Sequence, residues 1–220
     1  MNILSIKIQT NNIEESKHFY TKVLQLPLIE SLEKSFVLQA GQSILTFEQT
    51  EENVEVYHFA FNIPSNQIDN ALRWSEKHVD LIENVEGNLV TTFETWKAKS
   101  IYFTDNNGNI LEFIAREDIH VNVQEYFSPS QIINISEIGV VTEKPMVQAE
   151  KLIADYGLSY FDKAEPTEQF LALGDDNGLL IMVTPNRNWY PTNIAAKFTC
   201  VDIKLELEKL VFSIQSEKIK

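Results

Sequence analysis

The sequence predicts an α+β fold assembled from repeated β-α-β-β-β units, with mostly antiparallel strands and helices packed on one sheet face. Three observations carry this. Short apolar runs alternating with period two are separated by single amphipathic helical stretches. The order strand, helix, strands recurs: HFAFNIPSNQIDNAL (58–72) sets against SIKIQTNNIEESKHF (5–19) at a spacing of roughly fifty residues, long enough for a supersecondary repeat. Residues 100–115, SIYFTDNNGNILEFIA, read as a hairpin, two runs of strand formers around Asp105, Asn106, Asn107 and Gly108.

The elements follow in order. Residues 3–10 alternate, with Leu4, Ile6 and Ile8 on one face and Ser5, Lys7 and Gln9 on the other, a half-covered strand. Asn11 or Asn12 caps a helix from Ile13 whose apolar stripe is Ile13, Phe19, Tyr20, Val23 and Leu24, and which stops before Pro27. Strands at 28–31, 35–39 and 43–48 complete the first unit. The second has a strand at 57–63, a helix opened by Pro64-Ser65, one strand with a loop across 80–96, and the hairpin. After an irregular polar stretch at 123–131 come a strand at 135–141, a helix from Pro145 to the stop at Gly157, and a hairpin of 169–173 with 178–184. A strand at 195–201 and a charged helix from Asp202 read as the start of a truncated fourth unit. The expected division is a complete two-unit module at 1–117, a linker at 118–132, and the third unit plus truncated fourth at 133–220.

Composition bounds the function. With 44% apolar and 10% aromatic residues the chain can build a packed core, so disorder is not expected. A formal charge of −14, from 32 acidic and 18 basic residues, repels phosphate backbones and anionic lipid, so neither nucleic acid nor membrane is an expected partner. Cys200 is alone, cannot form an internal disulfide, and in KFTCVDI is expected to be buried. No secretory pattern or membrane-length apolar window is present, which makes a cytoplasmic protein the expectation.

One residue breaks the pattern of the 100–115 hairpin. Glu112 sits among apolar neighbours: Ile110 and Ile114 share its face, while Leu111, Phe113 and Ala115 share the other. A strand covered on both sides with one carboxylate in it suggests a cavity wall, because burying that charge alone is expensive.

The run DNNGNILEF resembles the D-x-x-G-N-x-x-E closing hairpin of the vicinal oxygen chelate superfamily, the group of glyoxalases, bleomycin-resistance proteins, fosfomycin-resistance enzymes and extradiol dioxygenases. The resemblance implies that paired units curl into a cup-shaped mixed sheet, here one full module plus an incomplete second. It also implies metal ligands on the first and last strands of each unit: Ser5 and Thr46 in the first, His58 and Glu112 in the second. His58 and Glu112 are good ligands for a divalent ion (Zn, Mn, Fe or Ni); Ser5 and Thr46 are poor ones. Glu137 takes the first-strand position of the third unit, but Met182 and Lys197 take the other matching positions, so no metal site is expected there.

Parity puts Ser5, Lys7, Thr46, Glu48, His58, Asn62 and Glu112 on the cup face. The favoured function is a glyoxalase/bleomycin-resistance-like protein that binds a small organic molecule in the N-terminal cup. Ser5, Lys7, Thr46, Glu48 and Asn62 are its ligand-binding residues and Glu112 is the candidate catalytic group. The alternative is a metal-dependent lyase, isomerase or dioxygenase on His58 and Glu112, and a further one a non-catalytic interaction protein with a degenerate cup. Without metal, His58 and Glu112 form a hydrogen-bonded pair. The ligand is expected to be neutral or cationic, with homodimer formation left open. His18 and His78 fall on solvated helix faces and His120 in the linker, while Trp189, Tyr190 and Pro191 of NRNWYPT either cover a pocket or pack as a loop.

Overall fold

The computed structural model describes residues 1–216; residues 217–220, the end of the expected fourth unit, lie outside them. The first unit is β1 (Asn2–Thr10), α1 (Ile13–His18) extended by a π-helical turn at Phe19–Val23, β2 (Leu28–Ser31), β3 (Ser35–Ala40) and β4 (Ser43–Gln49). The second is β5 (His58–Ile63), α2 (Ile68–His78), two short strands β6 (Asp80–Ile82) and β7 (Thr91–Phe93) where one was expected, β8 (Ala98–Thr104) and β9 (Ile110–Arg116). The third is β10 (Asn134–Val141), α3 (Pro145–Tyr156), β11 (Phe170–Asp175) and β12 (Gly178–Val183). A hairpin, β13 (Val201–Leu207) and β14 (Leu210–Ser216), closes the described chain.

Local chemistry sets the boundaries. The Asn12 side chain accepts the Glu15 N–H and caps α1. Gly157 ends α3 in the left-handed conformation, φ 75°. In the β8–β9 turn, Asp105 Oδ1 accepts the N–H groups of Asn107 and Asn109, each at 2.9 Å. Its Oδ2 accepts the Tyr20 hydroxyl at 2.7 Å. The aspartate of the closing-hairpin motif is therefore architectural, tying the second unit's turn to the helical segment of the first.

All fourteen described strands join one sheet, with the central path β2-β3-β4-β1-β10-β5-β9-β8-β6. In each of the three β-α-β units the first strand lies parallel to the last: β1 with β4, β5 with β9, β10 with β12. Between units, β5 pairs antiparallel with β10 and β1 pairs antiparallel with β13, while β1 and β10 meet only at Ile3↔Ile135. The second unit thus pairs with the third and the first with the closing hairpin, across the expected division at residues 117 and 133. Ser5 does not stand opposite His58.

The pairing follows from how each strand is covered. β5 and β10 are buried at every residue, so both faces need packing and each takes a partner of the same kind. β1 and β13 alternate buried Ile6, Ile8, Val201, Ile203 and Leu205 with more exposed Lys7, Asp202 and Lys204. Strands with one wet face pair with each other.

The same alternation corrects the reading of the C-terminus. No helix starts at Asp202; VDIKLEL is a strand of period two whose charges all point one way. The strand expected at 195–201 is absent before Val201, which opens β13; residues 195–200 hold an isolated bridge between Asn188 and Ala195. Cys200 is exposed rather than buried.

The helices cover one sheet face over a core that includes Tyr20, Phe47, Phe59, Phe61, Phe103, Phe113 and Met182. A second, smaller core of Tyr102, Ile110, Val141, Ile181, Val183 and Trp189 lies on the concave side of the second and third units.

Candidate functional site

The site is built by register. Ala60 on β5 stands beside Glu112 of β9 on one flank and beside Glu137 of β10 on the other. Directly paired residues point to the same sheet face, so two carboxylates project side by side over a single methyl group. His58, two residues before Ala60, joins them from the same face. One donor atom from each of His58, Glu112 and Glu137 can be chosen so that all three lie within 4.8 Å of one another. The residues are 6%, 2% and 4% exposed.

His58 Nδ1 lies 3.1 Å from the Ile110 carbonyl, which can only accept, so Nδ1 carries the proton and Nε2 presents its lone pair. That nitrogen is 3.8 Å from Glu112 Oε2, too far for the hydrogen-bonded pair expected of a metal-free site. Burial pulls the imidazole down to about 4, so the ring is neutral near pH 7. Glu112 is pushed up to about 8, first by burial and then by the neighbouring Glu137 charge. The Ser100 and Tyr102 hydroxyls beside it favour the anion, yet Ser100 Oγ reaches no hydrogen-bond partner among the described residues.

Glu137 has a different environment. Burial raises it, and the guanidinium of fully buried Arg116, in close contact with Oε1, opposes the rise. Arg116 also meets Asp176 Oδ1 at 3.3 Å and the Ser136 hydroxyl, and Lys163 bridges Asp176 at 2.5 Å to Asp118 at 2.8 Å. This chain of charges holds Glu137 on one side, while one of its oxygens lies within 4.8 Å of donor atoms of Glu112 and His58.

The three residues form the floor of a cavity of about 220 Å³. Its walls are Phe93, Trp96, Tyr102, Ile114, Phe170, Ile181, Trp189 and Tyr190, with Arg187 among them. Trp189 reaches the cavity by packing its six-membered ring on Gly139 of β10, where a Cβ would lie 2.6 Å from Cη2. Only glycine allows that approach.

Of the expected site residues, the structure brings together His58 and Glu112. Ser5, Lys7, Thr46 and Glu48 belong to strands of the other pairing: Lys7 Nζ meets Asp202 at 2.8 Å and Glu48 at 3.4 Å, and Thr46 stands beside Lys7 in register. Asn62 is buried and donates to Asn134 Oδ1 and the Asp176 carbonyl, a tie between strand and turn. None of these five lines the cavity. Glu137, expected to serve no metal site, supplies the third donor. The matching last-strand position in the third unit is Ile181 rather than Met182, because Glu137 pairs with Leu179 and the ligand position lies two residues on. Lys197 pairs instead with Glu55 at 3.1 Å. The signal for Glu137 was in the sequence: NISEIGVV holds one carboxylate in an apolar strand, as ILEFIA does around Glu112. Arg187 stood in the same NRNWYPT run as Trp189 and Tyr190 without being singled out.

Comparison with known proteins agrees with this architecture. The family model for the glyoxalase/bleomycin resistance protein/dioxygenase superfamily matches residues 2–113. A candidate dioxygenase from Bacillus subtilis subsp. subtilis str. 168 superposes with a TM-score of 0.64 at 16% identity, over 98% of this chain and 84% of its own. The V278E mutant of glyoxalase I from Zea mays superposes with a TM-score of 0.57 at 12% identity, over 91% of this chain and 73% of its own. At those identities the likeness speaks for the fold alone. No curated protein matches the sequence. With half of its length under the family model and the expected fold around it, the chain belongs to the glyoxalase/bleomycin resistance protein/dioxygenase, or vicinal oxygen chelate, superfamily.

Proposed function

We propose that the cavity between the second and third units binds a small organic molecule at a divalent cation held by His58, Glu112 and Glu137, and that the protein is a metal-dependent enzyme of the lyase, isomerase or dioxygenase kind. The observation that carries this is the pair of facing lone-pair donors, His58 Nε2 and Glu112 Oε2, separated by 3.8 Å with no proton bridge between them. Two ligands of one ion stand about 3.0 to 3.4 Å apart when each metal bond is near 2.1 Å, so a closure of less than about 1 Å brings this pair onto one ion. The donor set also fits by charge, since two carboxylates and a neutral imidazole balance a divalent ion. Its oxygen-rich character suits Mn²⁺ or Fe²⁺ better than a thiolate-seeking ion.

A bound divalent ion supplies polarisation of substrate oxygens. The chain's own residues do the rest. The Ile110 carbonyl fixes the His58 tautomer, Arg116 orients Glu137, and the aromatic walls exclude water and hold a flat substrate body over the floor. Glu112, displaced toward neutrality by its surroundings, gives up its proton when a cation arrives. The contact between Arg116 and Glu137 favours a second reading, a metal-free binding cavity in which Glu112 stays protonated.

Calorimetric titration of chelator-treated protein with Mn²⁺ separates the two. The proposal expects one site in the parent and its loss in His58→Ala and Glu112→Gln, both still folded. Identical titrations for the three proteins would leave only the metal-free reading.

A further inference from the structure

We propose that the ligand of this cavity is a small organic anion, a single-ring body carrying one carboxylate that is met by the Arg187 guanidinium and the Trp189 indole N–H. The inference rests on the cavity being the ligand site, as proposed above, and not on the metal.

Arg187 is half buried at the cavity wall, its guanidinium 4.7 Å above the Phe170 ring. Among the described residues the guanidinium's one hydrogen bond is to the adjacent Asn188 carbonyl at 3.3 Å, and no ion pair includes it. Burial alone shifts it, downward, with no carboxylate offsetting the loss of water. The two largely buried cations nearby are both matched: Arg116 by Glu137 and Asp176, Lys163 by Asp118 and Asp176. An uncompensated guanidinium facing an apolar cavity is costly unless something anionic enters.

Trp189 supplies a second donor. It is 3% exposed and lines the same cavity, and its Nε1 is buried with no hydrogen-bond partner among the described residues. A buried N–H of this kind ordinarily has a partner. Two donors two residues apart on one loop, beside aromatic walls, complement a planar carboxylate on an apolar ring. Volume narrows the class further. About 220 Å³ is the space of roughly seven liquid waters, enough for one ring with a short substituent and too little for a nucleotide. Lys7, expected among the ligand-binding residues, is committed to Asp202 and Glu48 elsewhere.

The test is a matched set of probes, benzoate and phenylacetate, each against its primary amide, titrated into chelator-treated protein and into protein loaded with Mn²⁺. The parent should bind the acids more tightly than the amides in both series. Arg187→Gln should weaken acid binding by about tenfold or more, and amide binding little. Trp189→Phe, which keeps the ring and removes the N–H, should weaken acids by about three- to tenfold. Equal affinity of acids and amides for the parent, unchanged acid binding by Arg187→Gln, or no acid binding at millimolar concentration would each overturn the inference. Mn²⁺ binding that survives in the parent and is lost in His58→Ala would in that case leave the proposed function standing.

Discussion

The two pairings of units use the same strand architecture and arrive at opposite surfaces. Where the second unit meets the third, β5 and β10 are covered on both faces, and the concave side closes over a cavity floored by one histidine and two carboxylates. Where the first unit meets the closing hairpin, the corresponding face stays wet: Lys7, Asp202 and Glu48 form ion pairs across β1, β13 and β4 with side chains 42%, 29% and 51% exposed. The difference lies in what covers each pairing. The loop carrying Arg187, Trp189 and Tyr190, together with Phe93 and Trp96 from the β7–β8 region, walls the second pairing. A charge facing water costs little and does little, whereas the same charge under an aromatic cover has a shifted pKa and demands a partner.

The largest expected difference between the halves is energetic. Glu137→Gln leaves Arg116 buried with Asp176 as its remaining acidic partner, and should destabilise by about 3 kcal/mol or more in denaturant unfolding. Lys7→Met breaks two ion pairs on the wet face and should cost below about 1 kcal/mol. Similar losses from the two substitutions would erase the distinction.

Next in size is a packing change. Gly139→Ala puts a methyl 2.6 Å from Trp189 Cη2 and must displace the ring, at about 1–3 kcal/mol, with a shift in tryptophan emission. An unaltered emission spectrum would mean that the Trp189 cover is not seated on β10.

A pH effect follows from the same burial. The unfolded chain has ordinary Glu and His values, near 4.5 and 6.5, whereas in the fold Glu112 rises to about 8 and His58 falls to about 4. Between 4.5 and 6.5 the two oppose each other: the native state retains the Glu112 proton and refuses the His58 proton. Above 6.5 only Glu112 acts, so the native state holds the extra proton and stability falls as pH rises toward 8. Metal-free parent should lose melting temperature over that window and Glu112→Gln should be nearly flat. Parallel curves for the two proteins would place the titration elsewhere.

The smallest expected effect is at Ser5. The family pattern makes it a ligand position, yet β10 lies between β1 and β5, which sets Ser5 about 10 Å from the His58 strand. Ser5→His should therefore leave Mn²⁺ binding as in the parent, and a tighter titration would bring β1 back into the site.

Most of the fold was legible because its signals are local. Asn12, Gly157 and the turn at Asp105–Gly108 act within a few residues of themselves, and outside 80–96 the strands and helices of the first three units fall within about four residues of the periodicity reading. The closing hairpin was not legible, for two reasons. Its charges invited a helix although VDIKLEL alternates strictly, and its two-residue turn places Glu208 and Lys209 at positive φ without the Asn-Gly signal that marks such turns. Half of the site was legible for the same local reason, since Glu112 is a lone carboxylate in an apolar strand. Glu137 carried that signal too, but its value depends on which units pair. Pairing is set by burial on both faces across residues about eighty apart, and periodicity within one strand does not encode it.

The central claim is that the working cup is made by the second and third units. Anomalous diffraction from crystals grown with Mn²⁺ tests it most directly. One peak bounded by His58, Glu112 and Glu137 is the predicted result. A peak on the wet face among Glu48, Lys7 and Asp202, or a full-occupancy ion elsewhere with the three donors bare, would contradict it.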